Sequence, residues 1–350
     1  MHALKFPFFT DFAVPEKYGL APFQTANVYI PTADNETLGA WFTLADTFYA
    51  ARAPTAPPDD ATLRAALAAH PTVLFFHGNA ATRAFHRRVQ HYTTYASRLG
   101  ANVLALDYRG FGDSSGAPSE AGLALDARAA WDWLVRRGGA RAGDVLVVGN
   151  SLGTAVAAGL VRELELELEL EGAGAQGSRG LVLLAPFASV EALMDTYAVF
   201  GLVPLLAPLK TLPYVPVLFK RLLRHRFDTL SKVAGLRTPV LLVHAQDDWD
   251  IPHAHSAALF AAMLEPHLPA LPLDAAATAA TAANAAVYRA RADARAALVT
   301  RTEVPRLGVM EAFVHGGSDV VFLETRWGGH DTVGLLGGVQ EVMRARYDMR

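Results

Sequence analysis

The 350-residue chain contains no cysteine. That excludes disulfides, thiolate metal sites and a cysteine nucleophile together. It also lacks a surplus of either charge, with 31 Lys and Arg against 34 Asp and Glu and a net charge of −3. Without a basic surplus there is no field to draw in a phosphate backbone, so no nucleic-acid partner is expected. Long unbroken apolar runs are missing too. The greasiest stretch, 196–219, carries Lys210 and prolines at 204, 208, 213 and 216, each of which would break a membrane-spanning helix. Pro7 and Asp11 stand where a signal peptide needs an apolar run. Neither a signal peptide nor a transmembrane helix is therefore expected, and the expected location is cytoplasmic or peripheral to a membrane.

What is present is a folding chain, since hydrophobic residues make up 52% and charged residues only 19%, outside the range of disordered sequences. Short runs of Val, Leu and Phe recur at 73–77, 102–107, 144–149, 181–185, 240–244 and 319–324. Runs without polar alternation suit strands buried on both faces. Helical patterns lie between them at about 82–98, 119–137, 151–165, 253–264 and 333–346. Upstream, 27–30 and 38–42 flank an Asp-Asn-Glu turn and read as an antiparallel hairpin. Strands alternating with helices predict an α/β fold, a mostly parallel doubly wound sheet, as one domain over 1–350. Three segments interrupt the rhythm. The Leu-Glu repeat at about 164–172 reads as a helix extension. The alanine-rich stretch within 270–303 reads as a low-complexity surface insertion. The proline-punctuated apolar region 190–232 is too long for a plain loop and reads as an inserted lid, bordered by Lys210, Lys220, Arg221, Arg224 and Arg226.

A Gly-x-Ser-x-Gly pattern occurs twice, at 112–116 and at 149–153. Only the second directly follows a strand and opens a helix of small residues, the context of a nucleophile elbow. Ser151 is the expected nucleophile, and Ser114 reads as loop structure. A serine hydroxyl needs a base, and the base needs a carboxylate to orient it. On the elbow fold these follow the serine in the order acid, then histidine. After the strand at 240–244 come Asp247, Asp248 and Asp250, three competing acids. That order removes every histidine up to His244, and His253, His255, His267 and His315 read as surface residues, leaving His330 between glycines and an aspartate as the base. His-Gly-Asn-Ala at 77–80 follows a strand and precedes a helix. The backbone amides of Asn79 and Leu152 are the expected oxyanion donors, and His77 reads as a loop-stabilising residue.

Together these motifs resemble the α/β-hydrolase superfamily of serine hydrolases. The stretches HGNAATR, LDYRGFGDSSGAPSE, GNSLG, LLVHAQDDWDIP and GGHD are most similar to the monoacylglycerol and lysophosphatidylserine lipases, a resemblance that runs from about residue 25 to 345. It implies Ser151, Asp248 and His330 as the triad. Asp248 is singled out because the family's HxxxDxxxP pattern falls on His244, Asp248 and Pro252. Animal members of that group typically carry an N-terminal membrane span not seen here, and both low-complexity segments are departures as well. The expected function is hydrolysis of carboxylic esters of lipids through an acyl-enzyme, with no cofactor and no metal. The expected partners are a lipid or small ester substrate and peripheral membrane contact. A thioesterase or peptidase on the same triad, or a non-catalytic binding protein of this fold, are the alternatives.

Overall fold

The structure is a computed structural model that describes residues 6–172, 177–196, 198–199, 203–204, 223–271 and 282–349. Its strands are β1 (Thr25–Pro31), β2 (Thr37–Thr43), β3 (Thr72–Phe76), β4 (Asn102–Leu106), β5 (Val145–Asn150), β6 (Gly180–Leu184), β7 (Ala198–Val199), β8 (Val203–Pro204), β9 (Val240–Ala245), β10 (Thr300–Val304), β11 (Gly308–His315) and β12 (Ser318–Thr325). Ten of them form one sheet in the order β1-β2-β4-β3-β5-β6-β9-β12-β11-β10, and β7 and β8 pair separately. The central run from β4 to β12 is parallel. Antiparallel strands continue it at both ends.

Inside the parallel run every residue of β3, β4, β5, β6 and β9 is buried. Successive side chains enter opposite cores: Leu74 and Phe76 pack on one side of the sheet, Val73 and Phe75 on the other. This two-sided burial removes the polar alternation that a half-exposed strand would show. The helices covering the faces are α1 (Asp46–Arg52), α2 (Asp60–Ala69), α3 (His86–Arg98), α4 (Glu120–Asp132), α5 (Leu152–Glu171), α6 (Val190–Thr196), α7 (Thr229–Val233), α8 (Ala254–Leu264), α9 (Ala282–Leu298), α10 (Gly329–Thr332) and α11 (Gly337–Arg346).

The expected α/β architecture, the N-terminal hairpin and the Leu-Glu helix extension are all observed, the last inside α5. Several boundaries differ for local reasons. α3 starts at His86 rather than 82 because Ala80 and Ala81 are left-handed, with φ of 59° and 54°, and the Arg83 amide is bonded to the Asp107 side chain. The helix expected over 119–137 is capped by Ser119 and loosens into a wide turn at 133–137. α2, capped by Asp59, and strands β10 and β11 were not expected. The 270–303 segment is helical over α9 and its last residues belong to β10. Of the 190–232 region, α6, β7, β8 and 223–232 are described. Lys210, Lys220 and Arg221 lie outside the described residues.

Arg83 ties three segments together at the carboxyl end of the sheet. Its fully buried guanidinium donates to Asp107 and Asp113 at 2.7 Å and to Asn27 at 2.9 Å. Asp107 is itself completely buried. Breaking a buried pair from one side leaves an uncompensated charge. Arg83→Met is expected to lower unfolding stability by about 3–5 kcal/mol, read as a shift of the urea midpoint. Lys17→Met, which breaks an exposed pair with Asp11, should barely move it.

Candidate active site

The turn from β5 into α5 is possible only because two glycines flank it. A Cβ at Gly153 would lie 2.0 Å from the Phe76 carbonyl oxygen, and one at Gly149 would lie 2.3 Å from the Gly153 carbonyl oxygen. With helix and strand this close, Ser151 is forced to φ 51° and ψ −119°. Side chains avoid this conformation, and it persists where the surroundings fix it. Its side chain is thereby lifted off the carboxyl end of β5, where cavities open.

Ser151 Oγ lies 2.8 Å from His330 Nε2, and His330 Nδ1 lies 2.9 Å from Asp248 Oδ2. Asp248 sits in the turn after β9 and His330 lies in α10, after β12, so the carboxyl ends of β5, β9 and β12, with β6 between the first two, supply the three groups. Asp248 Oδ1 also accepts the backbone N–H of Asp250 at 3.0 Å and of Ile251 at 2.9 Å. The competing acids do not bond the ring: Asp247 accepts the Gly329 N–H at 2.8 Å, holding the histidine loop, and Asp250 lines the cavity wall close to Asp248 and His330.

Burial works to raise the Asp248 pKa, but the hydrogen bonds from His244 and His330 outweigh it and hold the carboxyl well below the usual carboxylate range. Burial works to lower the His330 pKa. The Asp248 hydrogen bond, with the charges of Asp248, Asp331 and Asp250, reverses that and raises it above its ordinary value. The arrangement can therefore take a proton from the serine hydroxyl onto Nε2 while Asp248 fixes the Nδ1–H tautomer and stabilises the imidazolium.

Two cavities meet at Ser151. The larger, about 680 Å³, is walled by Phe6, Phe85, Val190, Leu193, Met194 and Ile251. The smaller, about 450 Å³, has Leu152, Phe187 and Phe227 on its wall with Arg224 and His225. Asn79 lines both cavities and Leu152 the smaller. Ser114, the serine of the other glycine motif, is buried far along the chain from these cavities, donating to the Asp107 carbonyl at 2.7 Å and accepting the Gly39 N–H at 2.9 Å.

Some groups near the site carried no role in the sequence reading. His244 is buried, with Nε2 3.1 Å from Asp248 Oδ2 and 2.9 Å from the Ile251 carbonyl, and Nδ1 2.7 Å from Ser256 Oγ. It braces the same Asp248 oxygen that His330 uses, and its four-residue spacing from Asp248 was the available signal. His91 lines the larger cavity, and burial pushes its pKa down to about 4, leaving it uncharged at neutral pH. His255, expected on the surface, is buried, with Nδ1 3.3 Å from the Ala188 N–H.

Residues 73–333 match the alpha/beta hydrolase family. The chain belongs to that family. It is 31% identical over 255 residues to the lysophosphatidylserine lipase ABHD12 of Rattus norvegicus, covering 72% of this chain and 59% of that protein. It is also 31% identical over 266 residues to protein ABHD12B of Homo sapiens, covering 73% and 66%. The chain thus spans about three fifths of the length of the first of these relatives. Among solved structures, an alpha-beta hydrolase from Vibrio vulnificus superposes with a TM-score of 0.55 at 19% identity, over 93% of this chain and 81% of that one. Est1E from Butyrivibrio proteoclasticus, solved with ferulic acid, gives 0.51 at 14% over 92% and 99%. Both likenesses show the hydrolase fold. Among the described residues of this hydrolase-family chain, no helix is long and apolar enough to cross a membrane.

Because Asp248 supplies the largest of the contributions that raise the His330 pKa, Asp248→Asn is expected to lower it. An NMR titration of the His330 ring protons against wild type checks the direction, and an unchanged or higher value would contradict it.

Proposed function

We propose that the chain is a serine ester hydrolase acting on lipid esters of the monoacylglycerol or lysophospholipid class. The observation that carries this reading is the hydrogen-bonded chain Ser151–His330–Asp248 opening directly into an apolar cavity. His330 takes the Ser151 proton as Oγ attacks the acyl carbonyl. The oxygen that becomes negative is received by the Asn79 and Leu152 backbone amides. His330 then protonates the departing alcohol. Water, deprotonated by the same imidazole, releases the acid from the acyl-serine.

The two cavities suit the two halves of such an ester. The larger apolar one takes the acyl chain, at about 0.8 kcal/mol per buried methylene. The smaller, with Arg224 and His225, faces the alcohol half. The relatives named as lysophosphatidylserine lipases support a lipid with one acyl chain. Such a substrate resides in a bilayer or micelle, so peripheral contact with lipid belongs to this reading, and so does an inserted lid over 190–232.

Ser151→Ala is expected to abolish fluorophosphonate labelling and the turnover of monoacyl lipids, whereas Ser114→Ala should keep both. Asp248→Asn should lower kcat by about 10⁴, the size of the tautomer effect in serine proteases, and Asp247→Asn far less. Side-by-side kinetics on a monoacylglycerol, an acyl thioester and a dipeptide amide decide the leaving group. Preference for either of the last two would overturn the ester reading, and full turnover by Ser151→Ala would overturn the nucleophile.

A further inference from the structure

Arg88 combines two unfavourable choices. Its side chain is buried, with the residue 7% exposed, and among the described residues no carboxylate sits at ion-pair distance. Asp107 and Asp331 act on it only at longer range, and burial pulls its pKa below the ordinary guanidinium value. Among the described residues Nη1 has no hydrogen-bond partner. A buried cation without a counter-ion is costly. Arg88 also sits with His86 and Arg87 in the first turn of α3, where the helix end is itself positive and prefers acids.

What Arg88 does hold is the backbone turn after β3. Nη2 donates to the Gly78 carbonyl at 3.0 Å and to the Ala80 carbonyl. The Gly78 oxygen receives a second hydrogen bond from His77 Nδ1 at 2.7 Å. A trans peptide holds its C=O and N–H in one plane, pointing in opposite directions. Holding the Gly78 oxygen toward Arg88 therefore turns the N–H of Asn79, in the same plane, the other way. Gly78 lies against the elbow, since a Cβ there would be 3.2 Å from Ser151 Cβ, and Asn79 lines both cavities that meet at Ser151. The next two residues, Ala80 and Ala81, are left-handed, a conformation that side chains disfavour, so this turn needs an external hold.

We infer that Arg88 is a positioning residue for the oxyanion site: its guanidinium fixes the Gly78–Asn79 peptide plane and polarises it, so that the Asn79 N–H is aimed and strengthened for the oxygen that becomes charged. The inference rests on the reading of Ser151 as nucleophile and of the Asn79 amide as a donor. A charged donor on a carbonyl strengthens the N–H of the same amide. The benefit grows with charge on the substrate oxygen, so it belongs to the transition state rather than to substrate binding.

The test compares wild type, Arg88→Met and Arg88→Lys. The measurements are kcat and KM on p-nitrophenyl butyrate, inhibition by a trifluoromethyl ketone that forms a tetrahedral oxyanion on serine, and thermal melting. Arg88→Met should lower kcat about ten- to hundred-fold, short of the 10²–10³ for removing a donor outright, with KM little changed. The ketone Ki should rise by the same factor. Arg88→Lys keeps the charge but not the two-carbonyl grip of the planar fork, and should fall in between, about three- to ten-fold below wild type. A wild-type kcat in Arg88→Met, or a loss confined to KM with the ketone Ki unmoved, overturns the inference. Should Arg88→Met fail to fold, Arg88→Lys decides alone: kcat and ketone affinity must fall together, and wild-type values for both overturn it. Ser151→Ala run alongside separates the two readings. Turnover surviving there removes the nucleophile assignment, whereas turnover lost there with Arg88→Met unaffected removes only the role of Arg88.

Discussion

The Arg83–Asp107 pair is the interaction on which the carboxyl edge of the sheet depends. Asp107 accepts both the backbone N–H and the guanidinium of Arg83 at 2.7 Å. One carboxylate thus ties the turn after β3 to the segment that follows β4. The same guanidinium reaches Asp113 and Asn27, while Phe12 stacks on it at 3.9 Å. With Arg83 immobilised, α3 can begin only where it does. That puts Arg88 beneath the Gly78 carbonyl and Phe85 in the cavity wall. A buried pair of this kind is poor as a net source of stability and effective at specifying a single arrangement. Here it specifies where three loops meet.

The second constraint is steric. Gly153 lets α5 approach the end of β3 closely enough that its first turn lies beside the Gly78 loop. The strain at Ser151 follows from that approach rather than from the serine itself. The neighbouring groups hold it in place: Thr154 Oγ1 donates to the Ser151 carbonyl at 2.6 Å, and the Ser151 N–H donates to the Leu184 carbonyl at 3.0 Å. Backbone strain, hydrogen bonding and the spacing of the glycines therefore support one another at a single turn.

Much of this was legible in the sequence because burial on both faces leaves strands of uninterrupted Val, Leu and Phe, and the six parallel strands are of that kind. β10, with Thr300, Arg301, Thr302 and Glu303 exposed, has no such signal and went unseen, as did the half-exposed β11 beside it. The order serine, acid, histidine picked out Ser151 and His330 because only one elbow follows a strand. It left three aspartates open, because their difference lies in where a turn aims each side chain. Asp247 and Asp248 are adjacent in sequence, yet one bonds a backbone amide and the other an imidazole. Arg88 was illegible for a related reason: its partners are backbone carbonyls eight and ten residues upstream, and residue type alone does not report where a carbonyl points.

The sheet order ends at β1 on one side and β10 on the other, and each end carries chemistry that discourages a further strand. Pro31 closes β1 without an N–H to offer. On β10, Arg301 and Glu303 are exposed, so an incoming chain would meet charge of both signs beside its backbone. Strand edges are the surfaces through which sheets recruit other chains, and proline and exposed charge are the residues that blunt them. Among the described residues, both ends of the ten-stranded sheet thus carry groups that discourage lateral growth, while the cavities open at its carboxyl edge.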